Sequence, residues 1–183
     1  MRSVRAYPLA LLAFVALAIG APEASAASAS ALSRDAKAAL ARLESTTPAA
    51  RALGAKAKAV LVFPSMLKAG FMFGGQLGEG ALIKNGKVVA YYNSVAASYG
   101  LQAGAQSFGY ALYFMNDAAL KQLDATHGFE LGVGPSIVVV DEGMGKSLTT
   151  NTLTSDVYAF IFSQKGLMAG IGIQGSKITR ISK

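Results

Sequence analysis

The chain has 183 residues, with 17 Lys and Arg against 10 Asp and Glu, a net charge of +7, one histidine and no cysteine. Without cysteine there is no disulfide framework, thiolate metal site or cysteine nucleophile, and a single histidine excludes a histidine-rich zinc centre. The positive balance suits an anionic partner such as phospholipid, polyanion or nucleic acid, or is ordinary solvated charge.

Residues 1–26, MRSVRAYPLALLAFVALAIGAPEASA, have the three parts of a secretory signal. Arg2 and Arg5 open it. The apolar run PLALLAFVALAIG is shorter than the roughly 20 residues of a spanning helix. Ala24-Ser25-Ala26 supplies the small residues that a signal peptidase accepts, after a break at Pro22. Cleavage is expected after Ala26, with Ala29 the next choice, giving a periplasmic or secreted chain. That location argues against nucleic acid as partner, and no cysteine is available for a lipoprotein anchor, so membrane association would be peripheral. Without Arg2, Arg5 and Glu23 the balance is +6. We expect one domain over 27–183, helical over 27–57 and β-rich over 58–183.

The stretch LSRDAKAALARLEST places Leu32, Ala36, Ala39, Leu40 and Leu43 on one helical face. Ser33 is a candidate cap, and Asp35 lies in the first turn. TTPAARALGAKAKA reads as a second helix with Thr47 as cap and Pro48 first, weakened or ended at Gly54. The apolar stripe fits either packing on the domain or lying on a membrane. From Arg34 to Lys68 seven basic residues, Arg34, Lys37, Arg42, Arg51, Lys56, Lys58 and Lys68, stand against Asp35 and Glu44.

From Lys58 the pattern is β. AVLVFP is a short buried run closed by Pro64. In EGALIKNGKVVAYY, Asn85-Gly86 predicts a type I′ hairpin. In GYALYFM, Tyr110, Leu112 and Phe114 share one face, and Ala111, Tyr113 and Met115 the other. NDAALKQLDATHG predicts a helix over 117–127, capped at Asn116 or Asp117 and stopped at Gly128. His127, in its last turn, reads as an exposed dipole partner, not a catalyst. GPSIVVVD, VYAFIF and GLMAGIGIQGSKITRI supply further strands. Of twenty glycines, only Gly20 precedes Gly54. Repeated through strands, glycine marks bulges and close backbone approach. We therefore expect an α+β fold: Ala-rich helices on a curved, glycine-rich antiparallel sheet or barrel-like core, both sides covered.

Motifs for catalysis are weak. Gly145-Lys146-Ser147 after SIVVV resembles the end of a P-loop, but position 140 is Val140, not the required glycine, and a turn- and strand-forming segment follows. Asp141-Glu142 on a strand would point to opposite faces, poor geometry for paired acid–base work. The glycines of GGQLGEG miss the dinucleotide-binding order. Tyr91, Tyr92, Tyr99 and Tyr110 are strand-spaced aromatics, better read as core than as cavity lining. No enzyme activity, cofactor or metal is expected.

Four stretches, KAVLVFPSMLKAGFMFGGQLGEGAL, YYNSVAASYGLQAGAQSFGYALYFMN, SIVVVD and AFIFSQKGLMAGIGIQGSKITRI, resemble the SYLF domain family in its bacterial envelope branch. The resemblance implies a lipid-binding domain and no catalysis. Eukaryotic relatives bind phosphoinositides through a basic amphipathic N-terminal part, and some bundle actin. Lys56, Lys58 and Lys68 are the comparable positions here; Arg34, Lys37, Arg42 and Arg51 lie upstream, without residue-by-residue alignment. In an envelope the expected ligand is an anionic phospholipid such as phosphatidylglycerol or cardiolipin, not actin or a phosphoinositide. Two other readings stay open: a protein–protein interaction module of the envelope, and a lipid carrier with an internal cavity.

Overall fold

The computed structural model describes residues 27–124, 129–130, 137–140, 154–166 and 176–183. The signal segment, His127, Asp141-Glu142 and the Gly145-Lys146-Ser147 stretch lie outside the described residues. Helix α1 spans Ala29–Thr46 and α2 Pro48–Gly54; strand β1 spans Ala59–Lys84 and β2 Lys87–Phe114. Helix α3 (Asp117–Leu123), β3 (Phe129–Glu130), β4 (Ile137–Val139), β5 (Val157–Gly166) and β6 (Lys177–Ile181) follow.

Two long strands organise the sheet. β1 and β2 pair antiparallel from Ala59–Phe114 to Lys84–Lys87, joined by Asn85-Gly86. Both turn residues have positive φ, 51° and 73°, as a type I′ turn requires. The other edge of β2 takes β6 along 91–95 and β5 along 106–114, so β2 is the spine. β3 pairs with β6, also antiparallel, while β4 pairs with β5 in parallel. The sheet is thus mixed, not wholly antiparallel as expected.

The sheet curls so far that β1 approaches itself. A Cβ on Gly80 would sit 2.8 Å from the Phe63 ring and 2.8 Å from the Val62 carbonyl oxygen, and one on Gly78 would overlap the Met66 sulfur. Here glycine is required by close approach of backbone, as its density in the strands suggested.

Alternation then sorts the core. Leu61, Phe63, Met66, Leu82, Tyr92, Phe108, Tyr110, Leu112, Phe114 and Ile178 fill the concave side, and Ala119 and Leu123 of α3 join them. Phe63 and Tyr110, directly paired, stack with centroids 4.6 Å apart. Val60, Val62, Ala81, Ala111, Tyr113 and Phe160 make the convex face, where Ala36 and Leu43 of α1 and Leu53 of α2 pack on them. Tyr91 ties the start of α1 to the sheet, its hydroxyl lying 2.8 Å from the Ser33 hydroxyl.

Several local expectations shift. The α1 cap is Ser28, whose Oγ accepts from the Ala31 N–H at 3.2 Å, so the helix begins before Ser33. Pro64 does not close β1: it sits in a register shift between Phe63 and Met66, where a missing N–H is tolerated. α3 is capped by Asn116, accepting from the Ala119 N–H at 2.8 Å, but ends at Leu123, short of 127. The convex face is only partly covered, because Leu67, Leu77 and Val95 are about half exposed.

Candidate functional site

The seven basic residues proposed from sequence do not share one surface. Arg34 and Lys37 lie on the side of α1 opposite its buried Leu32, Ala36 and Leu43, and both are exposed. Arg42 is exposed on the flank of the same helix. Arg51 is exposed but committed: its guanidinium donates to the Glu44 carbonyl at 2.9 Å and the Ser45 carbonyl at 3.0 Å. It closes the corner between α1 and α2, satisfying carbonyls a helix C-terminus leaves open. Lys56 and Lys58 are exposed in the link from α2 to β1, where the Lys58 N–H donates to the Phe114 carbonyl at 2.8 Å.

Lys68 is different: it is only 5% exposed, on the concave side of the sheet. The cause is the shift at Pro64-Ser65. β1 has two residues there against one on β2, since Phe63 pairs with Tyr110 but Met66 with Phe108. One extra residue inverts the alternation. Met66 and Lys68 therefore face inward, and Leu67 points out, 48% exposed. Lys68 pairs with Gln106, and Gln76, Ser94 and Ser176 are likewise buried, giving the concave side a polar portion beside its aromatic one. The Gln76 amide nitrogen, the Gln106 amide oxygen and the Ser176 hydroxyl find no hydrogen-bond partner among the described residues.

The same shift shapes a groove on the convex side. Its volume is about 310 Å³, and α1 (Asp35, Ala38, Ala39, Arg42), Pro64-Ser65, Ser107-Phe108 and Phe162, Ser163 and Lys165 of β5 line it. β5 carries its own extra residue here, because Ser107 pairs with Lys165 but Gly109 with Phe162. Ser163 has φ 52°, uncommon for a residue other than glycine. Neighbouring strands thus depart from regular pairing at one level, opening a gap below α1. Arg42 was among the residues singled out from sequence. Lys165 and the three serines were not, because nothing local marks them; only bulge positions bring them together.

Titratable groups in the helix corner and core are perturbed by burial. Burial pushes the Glu44 carboxyl above its ordinary 4.5, partly offset by the Tyr113 hydroxyl and the Arg51 charge. Burial likewise raises the phenols of Tyr92, Tyr110 and Tyr113, keeping them neutral. Tyr92 donates to Asp124 at 2.7 Å and Tyr110 to Ser94 at 3.3 Å, so both serve as satisfied core residues. Among the described residues no three His, Asp or Glu side chains converge on a metal-sized site, and no helix is long and apolar enough to cross a membrane.

No curated protein matches the chain. Residues 95–183 match the family model described as "Ysc84: Las17-binding protein actin regulator". That match runs from within β2 through β5 and β6; β2 and β5 border the groove, and all three strands contribute to the core. Two of the four stretches that resemble the SYLF family, and most of a third, fall within it, so over residues 95–183 the chain is similar to the SYLF (Ysc84) family.

Proposed function

We propose that this domain binds anionic phospholipid at a membrane surface of the bacterial envelope, without catalysing a reaction. The observation that carries the reading is the orientation of α1. Its apolar stripe is spent on the sheet, with Leu32 and Leu43 at 3% and 4% exposure, so its outward face is cationic at Arg34 and Lys37. Contact with lipid is therefore electrostatic through the helical layer, with Arg42, Lys56 and Lys58 beside it, and not by insertion of the amphipathic face of α1. Arg51 holds the helix corner in place, and buried Lys68 takes no part in surface contact.

Each cation near an anionic leaflet contributes about 1 kcal/mol at low salt. Arg34 lies 3.0 Å from the Asp35 carboxylate, which offsets its charge; the other four, Lys37, Arg42, Lys56 and Lys58, give about 4 kcal/mol, a millimolar affinity, so association is reversible. The family's description concerns an actin regulator; a chain carrying a secretory signal meets envelope lipid instead. The concave side is filled by Phe63, Tyr110, Phe108 and Tyr92, which favours a surface mode over an internal carrier. Leu77 and Val95, opposed across β1 and β2 and 55% and 52% exposed, favour protein docking as the second reading.

Vesicle co-sedimentation tests the proposal. The chain should pellet with phosphatidylglycerol vesicles and not phosphatidylcholine, and should be released by high salt. Arg34→Glu with Lys37→Glu should remove most of the binding. Equal binding to both lipids, or none to either, would refute the electrostatic mode; a single envelope protein retained after lipid removal would favour the second reading.

A further inference from the structure

The groove below α1 has the chemistry of a headgroup site. Resting on the lipid-surface reading, we propose that it holds the phosphate ester of one anionic lipid, with Arg42 and Lys165 as the charged contacts and Ser65, Ser107 and Ser163 as hydroxyl donors. Its volume of about 310 Å³ is at the lower end of small-molecule clefts, which run roughly from 300 to 1,000 Å³. Asp35, the one acid in the lining, has Oδ1 3.0 Å from the Arg34 Nε, which offsets its charge toward an anion. Arg42 and Lys165 are in no salt bridge among the described residues. Phosphate oxygens accept hydrogen bonds well from such a mixture of cations and hydroxyls.

The neighbouring surface identifies the source of the phosphate. Leu67, Ser107 and Lys165 are register partners across β1, β2 and β5, so they form one row on the convex face. The row passes from an apolar side chain, 48% exposed, through a hydroxyl to a cation. An amphiphile matches that gradient: its phosphate lies under Arg42 and Lys165, and its acyl boundary meets Leu67. Free phosphate would leave Leu67 without a role. Both the apolar end of the row and the gap itself arise from the extra residues in β1 and β5. Bulges commonly re-aim side chains beside binding sites.

The test separates a site from general charge attraction. Affinity for phosphatidylglycerol vesicles is measured for the wild-type chain, Arg42→Gln, Lys165→Gln, Ser107→Leu and Lys37→Gln, with folding checked by circular dichroism. Each variant except Ser107→Leu removes one positive charge; Ser107→Leu fills the groove without changing charge. We expect Arg42→Gln and Lys165→Gln to weaken binding about tenfold or more, as for charge-assisted phosphate contacts. Lys37→Gln should weaken it by less than about fivefold, and Ser107→Leu should resemble Lys165→Gln. Equal losses for all three charge variants, with Ser107→Leu unaffected, would overturn the groove and leave the surface reading standing. Absence of wild-type vesicle binding, with no binding of glycerol phosphate or inorganic phosphate either, would overturn both. Titration with glycerol phosphate and inorganic phosphate, followed by amide shifts of Ser107 and Lys165, is the remaining arm: tight binding there without vesicle binding would overturn the lipid source.

Discussion

Replacing Gly80 by alanine should destabilise the domain, although the opposite sign is expected for an ordinary strand glycine. Alanine restricts the unfolded chain, so Gly→Ala at a compatible position gains about 0.4–1 kcal/mol. At Gly80 the new methyl would stand 2.8 Å from the Val62 carbonyl oxygen and 2.8 Å from the Phe63 ring. Neither neighbour is the loose end of a flexible chain: one is backbone, the other a ring stacked on Tyr110. The two halves of β1 must therefore separate. Overpacking of this kind costs about 1–3 kcal/mol, a fall of about 2–12 °C in midpoint for a domain of this size. Gly78 is similar, since a methyl would overlap the Met66 sulfur and lie 2.9 Å from the Ser65 carbonyl oxygen. Because Ser65 lines the groove, Gly78→Ala should also disturb that site. Gly75 is the internal control: the atom nearest a new methyl would be the Ala96 carbonyl oxygen at 3.9 Å, an ordinary contact, so Gly75→Ala should be neutral or mildly stabilising. Urea and thermal unfolding by far-ultraviolet circular dichroism read all three. If Gly80→Ala were as stable as Gly75→Ala, the curl of β1 upon itself would be wrong.

Glu44→Gln tests the helix corner by pH. Because burial raises the folded-state value of Glu44 above its ordinary 4.5, its contribution is fully present below 4.5 and lost as pH rises through the raised value. The variant has no such titration, so its midpoint should gain on the wild type from pH 4 to pH 7; a wild type that gains instead would reverse the assignment. Gln106→Met removes a buried amide oxygen without a partner among the described residues. It should leave stability unchanged or raise it by up to about 1 kcal/mol, and a loss above about 1.5 kcal/mol in urea unfolding would show that the oxygen is engaged.

Local signals in the sequence carried much of the fold. Asn85-Gly86 specifies the hairpin because few residue pairs accept two positive φ values. Asn116 marks the start of α3, and Thr47-Pro48 the start of α2, through backbone groups only a few residues away. The alternation of Tyr110 to Phe114 sorts the two faces because strand period is two. The candidate site was less legible: Arg34, Lys37 and Arg42 are recognisable as exposed helix cations, but no residue near Lys165 announces that it lines the same groove as Arg42.

Charge, the helical N-terminal segment, the hairpin and the family resemblance were determined by sequence alone, since each depends on short-range sterics or on residue identity. Tertiary structure decided which surface α1 covers, that β4 runs parallel to β5, and that Lys68 turns inward while Leu67 turns out. A helix stripe does not name its partner, and one extra residue at Pro64-Ser65 inverts every side chain after it. Those choices rest on contacts between segments far apart in the chain, which only the folded molecule brings together.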